Sequence, residues 1–348
     1  METKKRLLGM TLAQLREVAV GVGLPAYAAR QMADWLYRKR VDLIADMTNI
    51  SLAKRQLLET SYEVGSAAPA ESVRSIDGTV KYLFSTGKQR AVESVFIPAE
   101  NRATLCVSSQ VGCKMGCLFC MTGKQGFSAN LTANEILNQI RSVPESDKLT
   151  NVVFMGMGEP FDNPNELFNV LEILTEPYGY GWSPKRITVS TVGVPKGLRR
   201  FLDESTCHLA VSLHSPFPEE RLSLMPAEKA YSLTDLIGLL RQYDFAHQRR
   251  VSFEYILFEG LNDTPGHVKA LAALLKGIPC RVNLIRFHAI PSVPLKSCTP
   301  ARMEQFRDAL NAKGVVCTIR ASRGEDIFAA CGMLSTARLN DEKKDKRL

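Results

Sequence analysis

Cys113, Cys117 and Cys120 are separated by three and then two residues in the run Cys113-Lys114-Met115-Gly116-Cys117-Leu118-Phe119-Cys120. Three thiolates so close in sequence can converge on one face of a small inorganic cluster. Iron–sulfur clusters are commonly held by four Cys thiolates, so three leave one iron open to chelate a small molecule. The other reading is a structural zinc site completed by a distant Cys or His. Structural zinc usually comes as paired short spacings, and no second Cys-rich knuckle is present, which favours iron–sulfur. Cys106, Cys207, Cys280, Cys298, Cys317 and Cys331 bring the total to nine. An odd count in a chain of 348 residues argues for thiol or metal chemistry in a reducing compartment and against a disulfide framework.

These residues need a scaffold. Apolar, β-rich runs at 104–108, 151–155, 186–191, 208–213, 251–258 and 281–287, with a further one at 315–319, alternate with helical or loop stretches. That texture predicts an α/β fold with a parallel sheet buried on both faces. Chemistry in such sheets collects where strands end. Cys113 follows the first run, Gly156 to Pro160 the second, while Ser190, His214 and His288 close the third, fourth and sixth. Cys106 falls inside the first run, at a strand centre, which alone suggests core.

Upstream, Thr11 can cap a helix with the apolar face Leu12, Leu15, Val18 and Ala19, stopped by Gly21-Val22-Gly23-Leu24-Pro25. A second helix turns Ala29, Met32, Ala33, Leu36 and Tyr37 inward and Arg30, Arg38, Lys39 and Arg40 outward, a basic edge that is either a nucleic-acid contact or a solvated face. Asp77-Gly78 marks a hairpin between 71–76 and 79–85, and a strand over 91–97 ends at Pro98. The predicted divisions are a helical accessory, RNA-binding domain over 1–65, a β connector over 66–100, a core over 101–335 and a frayed charged tail over 336–348.

Hydrophobic residues make up 45% and charged residues 23%, which describes a globular chain. No apolar run reaches the roughly 18 residues of a membrane span, and the first residues lack the apolar stretch of a secretory signal. A cytoplasmic protein without a membrane partner is the expectation. The net charge of +8 suits a polyanionic partner or a solvated basic face equally.

The Cys-x3-Cys-x2-Cys spacing after the first strand, with Phe119 before its last cysteine, resembles the radical S-adenosylmethionine superfamily. Longer stretches narrow the match: the run from Cys106 to Cys113, Phe154-Met155-Gly156-Met157-Gly158-Glu159-Pro160, Ser212-Leu213-His214, Arg323-Gly324-Glu325-Asp326-Ile327 and Ala329-Ala330-Cys331-Gly332. Together they are similar to the RNA adenine methyltransferases of the RlmN/Cfr type over nearly the whole chain. The resemblance implies a partial (β/α)6 TIM-like barrel with a helical N-terminal domain and a β connector. It implies a 4Fe–4S cluster on Cys113, Cys117 and Cys120, and an S-adenosylmethionine pocket of Gly158, Glu159, Ser190, Ser212, Leu213, His214 and His288.

In that chemistry one S-adenosylmethionine methylates Cys331. A second, at the open iron, is cleaved to a 5′-deoxyadenosyl radical that takes a hydrogen from the new methyl group. The carbon radical adds to an electron-poor adenine carbon, and Cys106 helps resolve the crosslink by taking a proton and closing a disulfide with Cys331. Glu93 matches a proton acceptor of the family; a solvent-facing strand carboxylate is the other reading. The implied substrates are C2 of an adenine in the peptidyl-transferase region of 23S rRNA and of tRNA, with a flavodoxin-like electron donor and a monomeric enzyme. Rival readings are methylation at C8, a non-catalytic RNA-binding relative, and a radical enzyme acting on a peptide or small molecule. Two departures stand out. His288 replaces the family's usual Asn, and Met225-Pro226-Ala227-Glu228 differs from the usual pattern after Pro; both are expected near the ligand face.

Overall fold

The computed structural model describes residues 4–87, 90–245 and 251–336; the tail expected over 336–348 lies, beyond Thr336, outside the described residues. At the N-terminus, helix α1 (Leu12–Gly21) starts with a reciprocal capping box between Thr11 and Gln14 and buries Leu15, Val18 and Ala19. Helix α2 (Ala28–Ala33) continues into one π turn (Asp34–Arg38), and Met32, Ala33, Leu36 and Tyr37 are buried. The helix α3 (Leu52–Ser61) follows. The basic edge is largely engaged within the molecule. Arg38 donates to the Pro177 carbonyl, Arg40 pairs with Asp147, and Lys39 lies 3.6 Å over the Trp35 ring beside Asp34.

The frame is a ten-stranded sheet whose strands lie side by side in chain order. They are β1 (Glu71–Arg74), β2 (Val80–Thr86), β3 (Arg90–Ala99), β4 (Arg102–Cys106), β5 (Asn151–Phe154), β6 (Ile187–Thr191), β7 (His208–Ser212), β8 (Val251–Leu257), β9 (Cys280–Arg286) and β10 (Cys317–Ile319). Strands β1 to β4 are antiparallel, with the Asp77-Gly78 hairpin joining β1 to β2, and β4 to β10 are parallel. β3 runs through Pro98 instead of ending there. Its pairing with β2 stops at Phe96, so the missing amide at Pro98 falls where no neighbour needs it.

Parallel neighbours need long crossovers. After the short α4 (Met121–Gln125), these are supplied by α5 (Ala133–Ser142), α6 (Pro164–Thr175), α7 (Pro195–Glu204), α8 (Pro218–Leu224) with α9 (Leu233–Leu240), α10 (Pro265–Leu274) and α11 (Pro300–Ala312). Ile187 and Val189 of β6 and Leu209 and Val211 of β7 are buried among the apolar side chains that these helices contribute. The opposite face was expected to be apolar too, and it is not. Asn151, Thr188, Ser252, Glu254 and Asn283 meet around a polar cavity of about 330 Å³, so the sheet is curled into a partial barrel with a polar lumen. The period-2 alternation of Thr188, Ser190, Ser252 and Glu254 among apolar residues carries that information.

Candidate active site

The cysteine loop grows from the end of β4. Gly112, just before Cys113, has φ +74°, and a Cβ there would stand 1.6 Å from the Gly126 carbonyl oxygen, so only glycine lets the loop close on itself. The Leu118 amide donates to Leu224 O (2.9 Å) and the Cys120 amide to Cys117 O (3.2 Å). Cys113, Cys117 and Cys120 all line one cavity of about 150 Å³ at the strand ends, which we call the inner cavity.

Burial pushes the Cys113 thiol up to about 12 and raises Cys117 and Cys120 as well, and the sulfurs raise one another through their mutual repulsion. Three thiolates crowded there need a cation. Among the described residues no group of three or more His, Cys, Asp or Glu is gathered as a single-ion site. A soft, convergent three-thiolate set around a cavity fits a multi-iron cluster with one open position.

The loop after β5 forms the next wall. Gly158 has φ +99°, and a Cβ there would meet Gln110 at 2.5 Å. Glycine is needed here for close approach of Gln110, whose Oε1 accepts the Glu159 amide (2.9 Å). Ser108 and Ser109 complete the seat: Ser108 Oγ accepts from the Met157 amide (2.8 Å), and the Ser109 amide donates to Met157 O (2.9 Å). The motif from Cys106 to Gln110 thus fixes the Gly156-Met157-Gly158-Glu159-Pro160 turn, a job its sequence does not announce.

Glu159 lines the inner cavity, yet its carboxylate is committed to the protein. It accepts the amides of Phe161 (3.0 Å) and Val192 (2.9 Å), tying the β5 loop to the end of β6. Burial raises its pKa to about 7 against the pull of those amides. Ser190 and Ser212 line the same cavity from β6 and β7. His214 does too, in the left-handed region at φ +58°. Its Nδ1 accepts the Ile256 amide (3.0 Å) and its carbonyl accepts from Asn262 (2.7 Å), while its ring packs edge-on against Phe119. Burial and the nearby Arg221 charge lower its pKa to about 3, so it is a neutral imidazole with the proton on Nε2.

Two expected pocket residues stand elsewhere. Leu213 is fully buried behind the wall, and His288 lines the adjoining outer cavity, where Nε2 meets Ser322 Oγ (3.2 Å) and Nδ1 faces Glu325 (3.6 Å). The stretch Met225-Pro226-Ala227-Glu228 lines neither cavity; Glu228 instead pairs with Arg221. Arg221 was not foreseen. It is fully buried and donates to Leu213 O (3.2 Å), Ser212 O (3.1 Å) and Val192 O (2.8 Å), clamping the ends of β6 and β7.

The outer cavity, about 330 Å³, holds Cys106 and Cys331 together. Cys106 is the last residue of β4, not a mid-strand residue, and is buried; Cys331 is exposed. Burial and the neighbouring Cys331 push the Cys106 thiol up to about 12, while Arg320 pulls the other way. The Cys331 segment is docked on the cysteine loop: the Met121 amide donates to Gly332 O (2.8 Å) and Thr122 Oγ1 to Leu334 O (2.7 Å). Cys331 and Arg320 line both cavities, with Arg320 held on Glu254 (3.1 Å). Glu93 is buried, paired with Lys81 (2.9 Å) and accepting the Ser335 amide (2.9 Å), and lines neither cavity.

A partial barrel with three cysteines after its first parallel strand defines a radical S-adenosylmethionine enzyme. The comparisons with known proteins place it further. The Radical SAM superfamily profile matches residues 107–272, and the ribosomal RNA large subunit methyltransferase N-terminal domain matches 5–64. A probable dual-specificity RNA methyltransferase RlmN of Parabacteroides distasonis is 71% identical, covering 97% of this chain and 98% of its own. The dual-specificity RNA methyltransferase RlmN of Solidesulfovibrio magneticus is 42% identical over 94% of this chain and 95% of its own. The crystal structure of a radical SAM methyltransferase from Sphaerobacter thermophilus superposes with a TM-score of 0.88 at 39% identity, covering 95% of this chain and 99% of that one. The chain belongs to the RlmN family of radical S-adenosylmethionine RNA methyltransferases, whose members use a 4Fe–4S cluster and S-adenosylmethionine.

Proposed function

We propose that the chain methylates C2 of an adenine in the peptidyl-transferase region of 23S rRNA, and of tRNA, by way of Cys331. The observation that carries this reading is that Cys331 borders both cavities, the one ringed by Cys113, Cys117 and Cys120 and the one holding Cys106. A methyl group on its sulfur is within reach of chemistry on one side and of an entering base on the other. Cys113, Cys117 and Cys120 would hold a cluster with one open iron, which would bind S-adenosylmethionine and supply the electron for its reductive cleavage.

The chain's own residues do the rest. Cys331 accepts a methyl group and presents it. Ser190, Ser212 and neutral His214 line the adenosyl side, and Glu159 and Arg221 hold the strand ends that carry them. Once the adduct has given up one electron, Cys106 takes its proton and then, as a thiolate, attacks the Cys331 sulfur. The S–CH2 bond breaks, and its electron pair stays on the methylene carbon, which regains a proton to become the methyl group of the base. Glu93 serves as base only after shedding Lys81 or the Ser335 amide. The N-terminal helices contribute to RNA binding, the reductant is a flavodoxin-like donor, and the enzyme acts as a monomer.

Nucleoside mass spectrometry of RNA treated with the reconstituted full chain tests the position: 2-methyladenosine is expected, and 8-methyladenosine without it overturns the assignment. Cys331→Ala is expected to abolish RNA methylation and to leave no methylated protein thiol. RNA methylation by that variant would move the reading to another route.

A further inference from the structure

Ile76 is the most exposed large hydrophobic side chain among the described residues, at 96%. Single exposed apolar residues are ordinary on a protein surface. This one sits on a hairpin tip fastened to the segment that leads to Cys331. Ser75 Oγ donates to Asp326 Oδ1 (2.6 Å), the Ile76 amide to Asp326 Oδ2 (3.1 Å) and the Gly324 amide to Asp77 Oδ2 (2.9 Å). The tip also abuts the outer cavity: a Cβ on Gly78 would lie 3.4 Å from Pro98, which lines that cavity. Phe328 is 42% exposed and holds φ +53°, a conformation a bulky residue keeps only when its surroundings impose it. Two apolar side chains, from segments 250 residues apart in sequence at their bonded pair, therefore stand just outside the cavity that holds Cys106 and Cys331, on backbone that adjoins its lining residues Pro98 and Ala329, and form a rim beside it. Arg323 lines the same mouth, on a chain of net charge +8.

Building on the RNA-methylating reading, we propose that this rim is the base-gripping surface for the substrate RNA. Ile76 enters the gap left by the target adenine, and Phe328 supports a flanking base. An adenine stacked in RNA cannot present C2 inside a cavity, so it must leave the stack. Proteins that distort nucleic acids commonly insert apolar side chains between base steps. The Ser75, Asp77 and Asp326 bonds make tip and Cys331 segment one body, so filling the rim also fixes the segment that presents Cys331.

The test uses the reconstituted full chain with a stem-loop RNA carrying 2-aminopurine immediately 3′ of the substrate adenine in its loop. Wild-type binding is expected to raise 2-aminopurine fluorescence as the neighbouring base unstacks. Ile76→Ala is expected to abolish that rise and lower kcat/KM for RNA methylation about tenfold, the scale of one lost base contact, with iron content unchanged; Ile76→Phe restores both. Wild-type kcat/KM and fluorescence in Ile76→Ala overturn the rim while leaving the methylation reading intact. A wild-type protein that binds the RNA but forms no methylated adenine overturns both. A variant impaired only with a protein electron donor, and normal with a chemical reductant, assigns the rim to a protein partner and also overturns it.

Discussion

At the scale of single residues, His214 joins backbone conformation to protonation state. Its φ of +58° is accessible to few side chains, and its Nδ1 must be an acceptor for the Ile256 amide. Burial holds its pKa near 3 against 6.5 for a free imidazole. The stabilisation this neutral ring provides is therefore complete above about pH 6.5 and is lost as the pH falls toward 3, because the unfolded chain takes up the proton first. Asn tolerates the left-handed region and can offer Oδ1 to the same amide. His214→Asn is expected to make the loss of Tm between pH 6.5 and pH 3 shallower in the cluster-free chain. An unchanged slope would show that the imidazole contributes nothing to the acid limb. The three cysteines of the loop after β4 were legible because their spacing carries them, whereas Cys106 and Cys331 stand out only through the family resemblance. The left-handed turn at His214 was not, because it depends on β8 presenting an amide 42 positions downstream.

At the scale of elements, the strand ends that form the inner cavity are held by groups the sequence shows only as ordinary charged residues. Arg221, on α8, spans Val192 after β6, Ser212 at the end of β7 and Leu213, with Glu228 as its counter-charge. A guanidinium fork can serve these acceptors at once; an ammonium cannot. Arg221→Met would leave a buried carboxylate and three carbonyls without their donor, a change that typically costs about 3–5 kcal/mol. The expected result is a matching fall in chemical-denaturation stability together with reduced iron loading, and Arg221→Lys is expected not to rescue it. Full iron loading in Arg221→Met would show that β6 and β7 keep their spacing without the clamp. The order of strands and crossovers was readable from alternating β and helical texture. The polar lumen was readable too, in the alternation Thr188, Ser190 and Ser252, Glu254, but a search for apolar runs passes over it. Arg221 and Arg320 were not readable, since their roles arise only where loops from different crossovers meet.

At the scale of the whole molecule, the N-terminal helices are built into the barrel through one face of α5. Arg141 is buried there and donates to Leu36 O (3.2 Å), Arg40 O (2.6 Å) and Val41 O (2.7 Å), and pairs with Asp42 (2.8 Å). Asn134 bonds Gly65 O (2.9 Å) and receives Arg6 (3.0 Å), and Asn138 brackets both backbone groups of Ala67. These are polar partners at buried or half-buried positions, and removing one side of such a pair leaves the other to bear about 1–3 kcal/mol of lost hydration. The seam also borders the catalytic frame, because Gln139 on the same helix accepts the Ser108 amide (2.9 Å) next to the turn that seats the Met157 loop. A fragment lacking residues 1–65 would orphan Arg141 and Asn134 and uncover the apolar side chains beneath Leu7 and Leu8, both fully buried in the intact chain. The expected outcome is an aggregating or cluster-poor fragment, not an active core that has merely lost RNA affinity. Gel filtration and iron content of the fragment, beside Arg141→Ala in the full chain, measure this. A monodisperse, fully loaded fragment that still methylates its own Cys331 would mean that the helices are a detachable RNA adaptor and that α5 needs no cover to hold the site.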